Sequence, residues 1–115
     1  MINNRRLHHI AIICSDYQKS KWFYTEIFGF KIEKEICRKE RQSYILDLSL
    51  NGSYLIELFS FPNPPNRPST PEATGMRHIV FEVENVNNCI QILANNNIET
   101  EPIRIEEFTN KKSLF

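Results

Sequence analysis

Two histidines and one glutamate are the residues of this sequence whose types and spacing point to chemistry. His9 stands in Leu7-His8-His9-Ile10-Ala11-Ile12-Ile13 and His78 in Met76-Arg77-His78-Ile79-Val80-Phe81-Glu82, 69 positions further on. Both segments are apolar and rich in β-branched residues, so both read as strands. Glu57 is a single carboxylate among the apolar residues of Tyr54-Leu55-Ile56-Glu57-Leu58-Phe59. An acid in such a setting is normally paired or bound to a metal. Two imidazoles and a carboxylate converging on one face suit one divalent ion such as Zn²⁺, Ni²⁺, Mn²⁺ or Fe²⁺. A lone strand histidine is more often a packing residue than a ligand. The repeat raises these two above that background, because a pseudo-twofold axis between two modules brings equivalent positions together.

The elements that must position these residues follow from laying the chain on itself at that offset. Asp16 falls on Asn85, and each precedes a helical stretch, residues 17–28 and 86–96. Asp and Asn are good helix N-caps, and Ser15 with Gln18 also fits a capping box. Trp22, Phe23 and Ile27 supply one inward stripe, and Val86, Cys89, Ile90 and Leu93 the other. Gly29 ends the first helix and Asn95-Asn96-Asn97 the second, both tolerant of the left-handed conformation. Strands over residues 30–36 and 98–105 follow. The first copy continues with strands 43–50 and 54–61 around Asn51-Gly52, the strongest short hairpin signal. Module one, residues 5–61, is therefore β-α-β-β-β. Residues 62–75 hold five of the chain's six prolines and read as a semi-rigid linker. A partial module two spans residues 76–115, with a last strand opening at 111–115.

Side chains alternate across a strand, so His9 shares a face with Ala11 and Ile13, and His78 with Val80 and Glu82. The greasier faces, with Ile10, Ile12, Ile79 and Phe81, are expected on the helices, leaving both histidines on the helix-free side. Asp47 is the odd charge in its strand and is expected beside the site. Arg38-Lys39-Glu40-Arg41 reads as a solvated loop in preference to an anion clamp, and Arg67 and Thr70 as spacer. Trp22 and Phe23 read as core or dimer contacts.

Composition bounds the rest. The chain has 115 residues, with 14 basic residues against 14 acidic ones. That length suits one core, and the balanced, scattered charge argues against nucleic acid or an anionic membrane as partner. No apolar run approaches a membrane helix or a secretory signal, so a cytoplasmic protein is expected. Cys14, Cys37 and Cys89 are odd in number and widely spaced, which implies neither a disulfide framework nor a zinc knuckle.

Leu7-His8-His9-Ile10-Ala11-Ile12 with Asp16, Phe23-Tyr24 leading to Phe28-Gly29-Phe30, Tyr54-Leu55-Ile56-Glu57-Leu58 and Gly75-Met76-Arg77-His78-Ile79-Val80-Phe81 resemble, in order and spacing, the vicinal oxygen chelate superfamily of glyoxalase I, bleomycin-resistance proteins, fosfomycin-resistance enzymes and extradiol dioxygenases. The resemblance implies an α+β fold of two βαβββ modules forming a curved mixed sheet. It also implies a divalent metal held by His9, Glu57 and His78. In that family a fourth ligand, usually Glu, comes from the last strand of module two. The sequence has no counterpart, as if about 10–15 residues, a strand or so, were missing from the pattern. Glu57 is therefore given the catalytic base role in a glyoxalase I-like lyase or isomerase acting on a small, hemithioacetal-type substrate through a chelated enediolate. The alternatives are a non-catalytic binder of the bleomycin-resistance kind and a truncated, inactive form of the enzyme. Unpaired strand edges in a short second module favour a homodimer.

Overall fold

The structure is a computed structural model that describes residues 1–102, 104–105 and 112–113. The chain divides into two compact units, Met1–Ala73 and Thr74–Phe115.

In the first unit, strand β1 (Ile10–Cys14) leads into helix α1 (Tyr17–Trp22). Asp16 caps the helix, its Oδ1 accepting from the Lys19 N–H at 3.1 Å. Asp16 rather than Ser15 thus satisfies the free N–H of the first turn, and the Ser15–Gln18 box is not used. The expected helix to residue 28 forms, but after Trp22 it widens into one π turn, Phe23–Ile27. There the Phe28 N–H reaches the Phe23 carbonyl at 3.0 Å. Gly29, at φ +74, stops the helix in a conformation that suits glycine.

Three antiparallel-linked strands follow: β2 (Lys31–Arg38), β3 (Ser43–Leu50) and β4 (Ser53–Ser60). A short 3-10 turn, Lys39–Arg41, joins the first two. Asn51 and Gly52 join the others with φ of +51 and +82, as the Asn-Gly signal requires. The sheet order is β1-β4-β3-β2, with β1 parallel to β4 and the other pairs antiparallel. One face of this mixed sheet carries Leu46, Leu48, Ile56 and Leu58, all at most 1% exposed. Tyr17 of α1 stacks on Tyr44 on this side, with ring centroids 4.3 Å apart. The Tyr17 hydroxyl donates to Glu35, which also accepts from Lys21 at 2.8 Å. Burial of the apolar side chains against α1 is what fixes the strand register, since a one-residue slip would turn them all to the other face.

In the second unit, helix α2 (Val86–Asn95) begins at the N-cap Asn85, whose Oδ1 accepts from the Asn88 N–H at 3.0 Å. It ends in the asparagine run, with Asn97 at φ +59. Strands β5 (Arg104–Ile105) and β6 (Lys112–Ser113) form an antiparallel pair. Two expectations change here. Among the described residues, 76–82 form no ladder, although their burial still alternates: Ile79 and Phe81 are half-buried while His78, Val80 and Glu82 are exposed. In the first unit the opening strand bonds to β4, and among the described residues of the second unit no counterpart of β4 is formed. β propensity alone does not make a strand; a ladder of hydrogen bonds does. The strand expected over 98–105 is reduced to its described end, since residues 98–102 are irregular and Pro102 has no N–H to donate. Ile103 lies outside the described residues, as do Lys111, Leu114 and Phe115 of the strand expected over 111–115.

Candidate metal-binding face

Strand register decides which side chains meet. β1 pairs with β4 so that Ala11 lies opposite Glu57, and β3 pairs with β4 so that Asp47 also lies opposite Glu57. Glu57 and Asp47 therefore share the face away from α1, together with Ala11 and Ile13 of β1. His9 precedes β1 by one residue and keeps its phase. Its Nε2 lies 3.8 Å from Glu57 Oε1, with the two side chains 36% and 25% exposed, so both are reachable from solvent. His9 thus lies on the side of the sheet away from α1.

A neighbouring ring orders the imidazole. Tyr54 stacks on His9 with centroids 4.8 Å apart and planes 13° from parallel. Its hydroxyl donates to Asp47 Oδ1 at 3.1 Å. Strict alternation would set Tyr54 on the core side with Ile56 and Leu58. A β-bulge prevents this: Leu48 pairs with Ile56 and Ser49 with Tyr54, leaving Leu55 as the extra residue. The bulge turns Tyr54 onto the face of Asp47 and Glu57. Burial, the hydrogen bond to Asp47 and the nearby negative charges of Asp47 and Glu57 all push the tyrosine hydroxyl's pKa upward. Tyr54 therefore stays a neutral donor at ordinary pH. Asp47 takes its expected place beside the site through Tyr54, a residue that alternation does not flag.

His8 contributes from the other side. Its Nδ1 is 2.7 Å from His9 Nδ1, so one ring donates to the other. When His9 is the donor, its Nε2 keeps its lone pair on the Glu57 side, the tautomer a ligating histidine needs. Imidazole nitrogen and carboxylate oxygen bound to one ion sit about 3–3.5 Å apart. The 3.8 Å separation of this pair fits that donor set after a small rotation. Within neither unit do three His, Cys, Asp or Glu side chains gather, among the described residues. His78, the third expected donor, belongs to the second unit and is exposed there.

The charged run behaves differently from expectation at one residue. Lys39, Glu40 and Arg41 are exposed, as in a solvated turn. Arg38 is not. It is half-buried, and its guanidinium carbon lies 5.9 Å from the ring centroids of both Phe59 and Phe61. Arg67 and Thr70 are exposed in the linker. Trp22 is 38% exposed, while Phe23 packs on Phe28 with centroids 4.6 Å apart. The three cysteines are free thiols, with Cys14 buried and Cys37 exposed. No helix among the described residues is long and apolar enough to cross a membrane.

Comparison with known proteins agrees with this architecture. The family model described as Glyoxalase/Bleomycin resistance protein/Dioxygenase superfamily matches residues 6–114. The Bacillus subtilis protein YwkD is 56% identical over 111 residues, 96% of this chain and 87% of its own length. A glyoxalase family protein from Enterococcus faecalis has a crystal structure that superposes with a TM-score of 0.83 at 44% identity, covering 94% of this chain and 85% of that one. The human mitochondrial methylmalonyl-CoA epimerase is 30% identical over 105 residues, 85% of this chain and 57% of its own length.

Proposed function

This chain belongs to the glyoxalase/bleomycin resistance protein/dioxygenase superfamily, and on that premise we propose that it is a divalent-metal-dependent lyase or isomerase acting on a small oxygenated substrate. The observation that carries this reading is the His9 Nε2–Glu57 Oε1 pair, 3.8 Å apart on an open sheet face and backed by the stacked Tyr54. His9 and Glu57 supply two donors, and His78 is proposed as the third. A bound Zn²⁺, Ni²⁺, Mn²⁺ or Fe²⁺ ion would polarise a pair of adjacent substrate oxygens and so acidify the neighbouring C–H.

The remaining work falls to the chain's own residues. Glu57 Oε1 faces His9, and we assign Glu57 as the base that takes a proton from one carbon and returns it to the next. Tyr54 holds the His9 plane, and Asp47 holds Tyr54. Ala11 and Ile13 leave the floor beside the pair low and apolar, with Ile13 60% exposed. The similarity to an enzyme named as an epimerase supports proton transfer next to a carbonyl as the reaction type. We further propose a cytoplasmic homodimer.

Metal analysis of the purified chain beside His9→Ala and His78→Ala tests the proposal. Near-stoichiometric metal in the parent and its loss in both variants is the expected result. Negligible metal in the parent, or unchanged metal in both variants, would refute the site. Turnover of a hemithioacetal that disappears in Glu57→Gln, with metal retained, would assign the base. Metal that is lost in both variants, without turnover of any such substrate, favours an inactive form of the enzyme, whereas the non-catalytic binder needs no metal. A monomeric sedimentation mass counts against the dimer.

A further inference from the structure

We propose that Arg38 binds the anionic end, a carboxylate or phosphoryl group, of the molecule whose reactive end sits at His9 and Glu57. The proposal rests on the reading of that pair as the reactive site.

Arg38 comes from a charged run yet leaves it. Its pairing with Ser43, together with Ile36 opposite Ile45 and Lys34 opposite Asp47, sets it on the face of Asp47 and Glu57, away from α1. There its guanidinium carbon lies 5.9 Å from both the Phe59 and Phe61 centroids, and the two rings are parallel within 3° and 6.0 Å apart. An apolar ring platform holds the cation in place and keeps water from one side of it, which strengthens its pull on an anion.

The donors of Arg38 are mostly unspent. One Nη donates to Ser43 Oγ at 3.1 Å. Its Nε is sealed from solvent and has no acceptor among the described residues. No carboxylate among the described residues pairs with it, whereas Lys21 has Glu35. A fixed guanidinium without a counterion is the group best suited to a planar or tetrahedral oxyanion, because its fork binds two oxygens at once.

The distance from the reactive pair is molecular in scale. Phe59 is the next residue after Glu57 on that face, about 6.5 Å along the strand. A substrate of a few carbons with one charged end can thus span Glu57 and the cation above Phe59. Lys39 and Arg41, exposed beyond the sheet, do not share this face.

The full-length chain is titrated with inorganic phosphate and, separately, with propionate, following the Arg38 Nε–Hε signal by NMR. A saturable shift is expected with at least one anion, and the better of the two distinguishes phosphoryl from carboxylate. Arg38→Gln is expected to weaken that anion about tenfold while the thermal midpoint changes little. His9→Ala is expected to leave it unchanged. No saturable shift with either anion, or equal affinity in Arg38→Gln, overturns the inference. Loss in His9→Ala with retention in Arg38→Gln also overturns it, since the anion then belongs to a metal, and the functional reading survives. Arg38-dependent binding in a chain that holds no metal does the reverse. If Arg38→Gln does not fold, Arg38→Lys keeps the charge without the fork. Several-fold weaker binding in that variant supports the proposal, and unchanged binding overturns it.

Discussion

The two units begin from matched sequence and end in different states. At an offset of 69, Cys14 corresponds to Val83, Tyr17 to Val86 and Phe30 to Glu99. Cys14, Tyr17 and Phe30 are buried, at 8%, 8% and 4% exposure, whereas Val83 is 45% exposed, Val86 is half-buried and Glu99 is exposed. Both units cap their helix with the same kind of side chain, at nearly the same distance. Local chemistry is therefore equivalent, and the difference arises from partners. The first unit supplies β3 and β4, which satisfy the ladder of β1 and seal the core with Leu46, Leu48, Ile56 and Leu58. In the second unit the described strands are the two-residue pair β5 and β6, and none of residues 74–102 is fully buried. Helices can be specified locally, whereas strands are completed only by other strands.

The largest effect that tests this contrast comes from core truncation. Leu58→Ala, at a fully sealed position, is expected to cost about 2–5 kcal/mol in urea unfolding. Leu93→Ala, on the half-buried face of α2, is expected to cost less than about 1.5 kcal/mol. Equal costs would mean that the second unit has a core as tight as the first. Next in size is the ring beside His9. Tyr54→Leu is expected to weaken metal affinity about 10–100-fold by competition with a chelator, and Tyr54→Phe, which keeps the stack and loses the Asp47 tether, by less. Unchanged affinity in Tyr54→Leu would separate the order of the first unit from the metal site.

Helix caps give a smaller and more direct comparison. Asp16→Ala is expected to lower global stability by about 1 kcal/mol, since α1 covers the sheet core. Asn85→Ala should speed amide exchange in α2 and leave the midpoint for the sheet unchanged. A shared midpoint shift in both variants would show that the units unfold together. The smallest effect is a pH dependence confined to the first unit. The Glu35 carboxyl is held below its usual range by the hydrogen bond from Lys21 and then that from Tyr17. A carboxyl depressed in the folded state stabilises above its unfolded value, and this contribution is lost as pH falls through the folded value. Acid should therefore destabilise the parent more than Glu35→Gln, read as the slope of the thermal midpoint below about pH 4.3. Parallel slopes would remove Glu35 from the account.

Much of the first unit was legible from residue order. The Asn51-Gly52 hairpin, the Asp16 cap, the Gly29 stop and the phase of His9 with Ala11 and Ile13 each follow from short-range rules. The meeting of His9 with Glu57 was also expected, from an acid that needs a partner among apolar neighbours and from the ligand set that the family resemblance implies. Three things were not legible. Tyr54 reaches the site only through the bulge at Leu55, and a bulge depends on how two strands meet. Arg38 reads as one of four charges in a loop until its pairing with Ser43 lays it across Phe59 and Phe61. Residues 76–82 read as a strand from composition and alternation, which describe a willingness to pair and not a partner.

By itself the sequence determined where helices start and stop, where the hairpin turns and which face of each apolar segment turns inward, because these depend on the preferences of neighbouring residues. The tertiary structure alone decided which β-rich segments became strands and which polar side chains shared a surface. Ladder hydrogen bonds, bulges and ring stacking join residues distant in sequence, and their energy exists only once those residues are in contact.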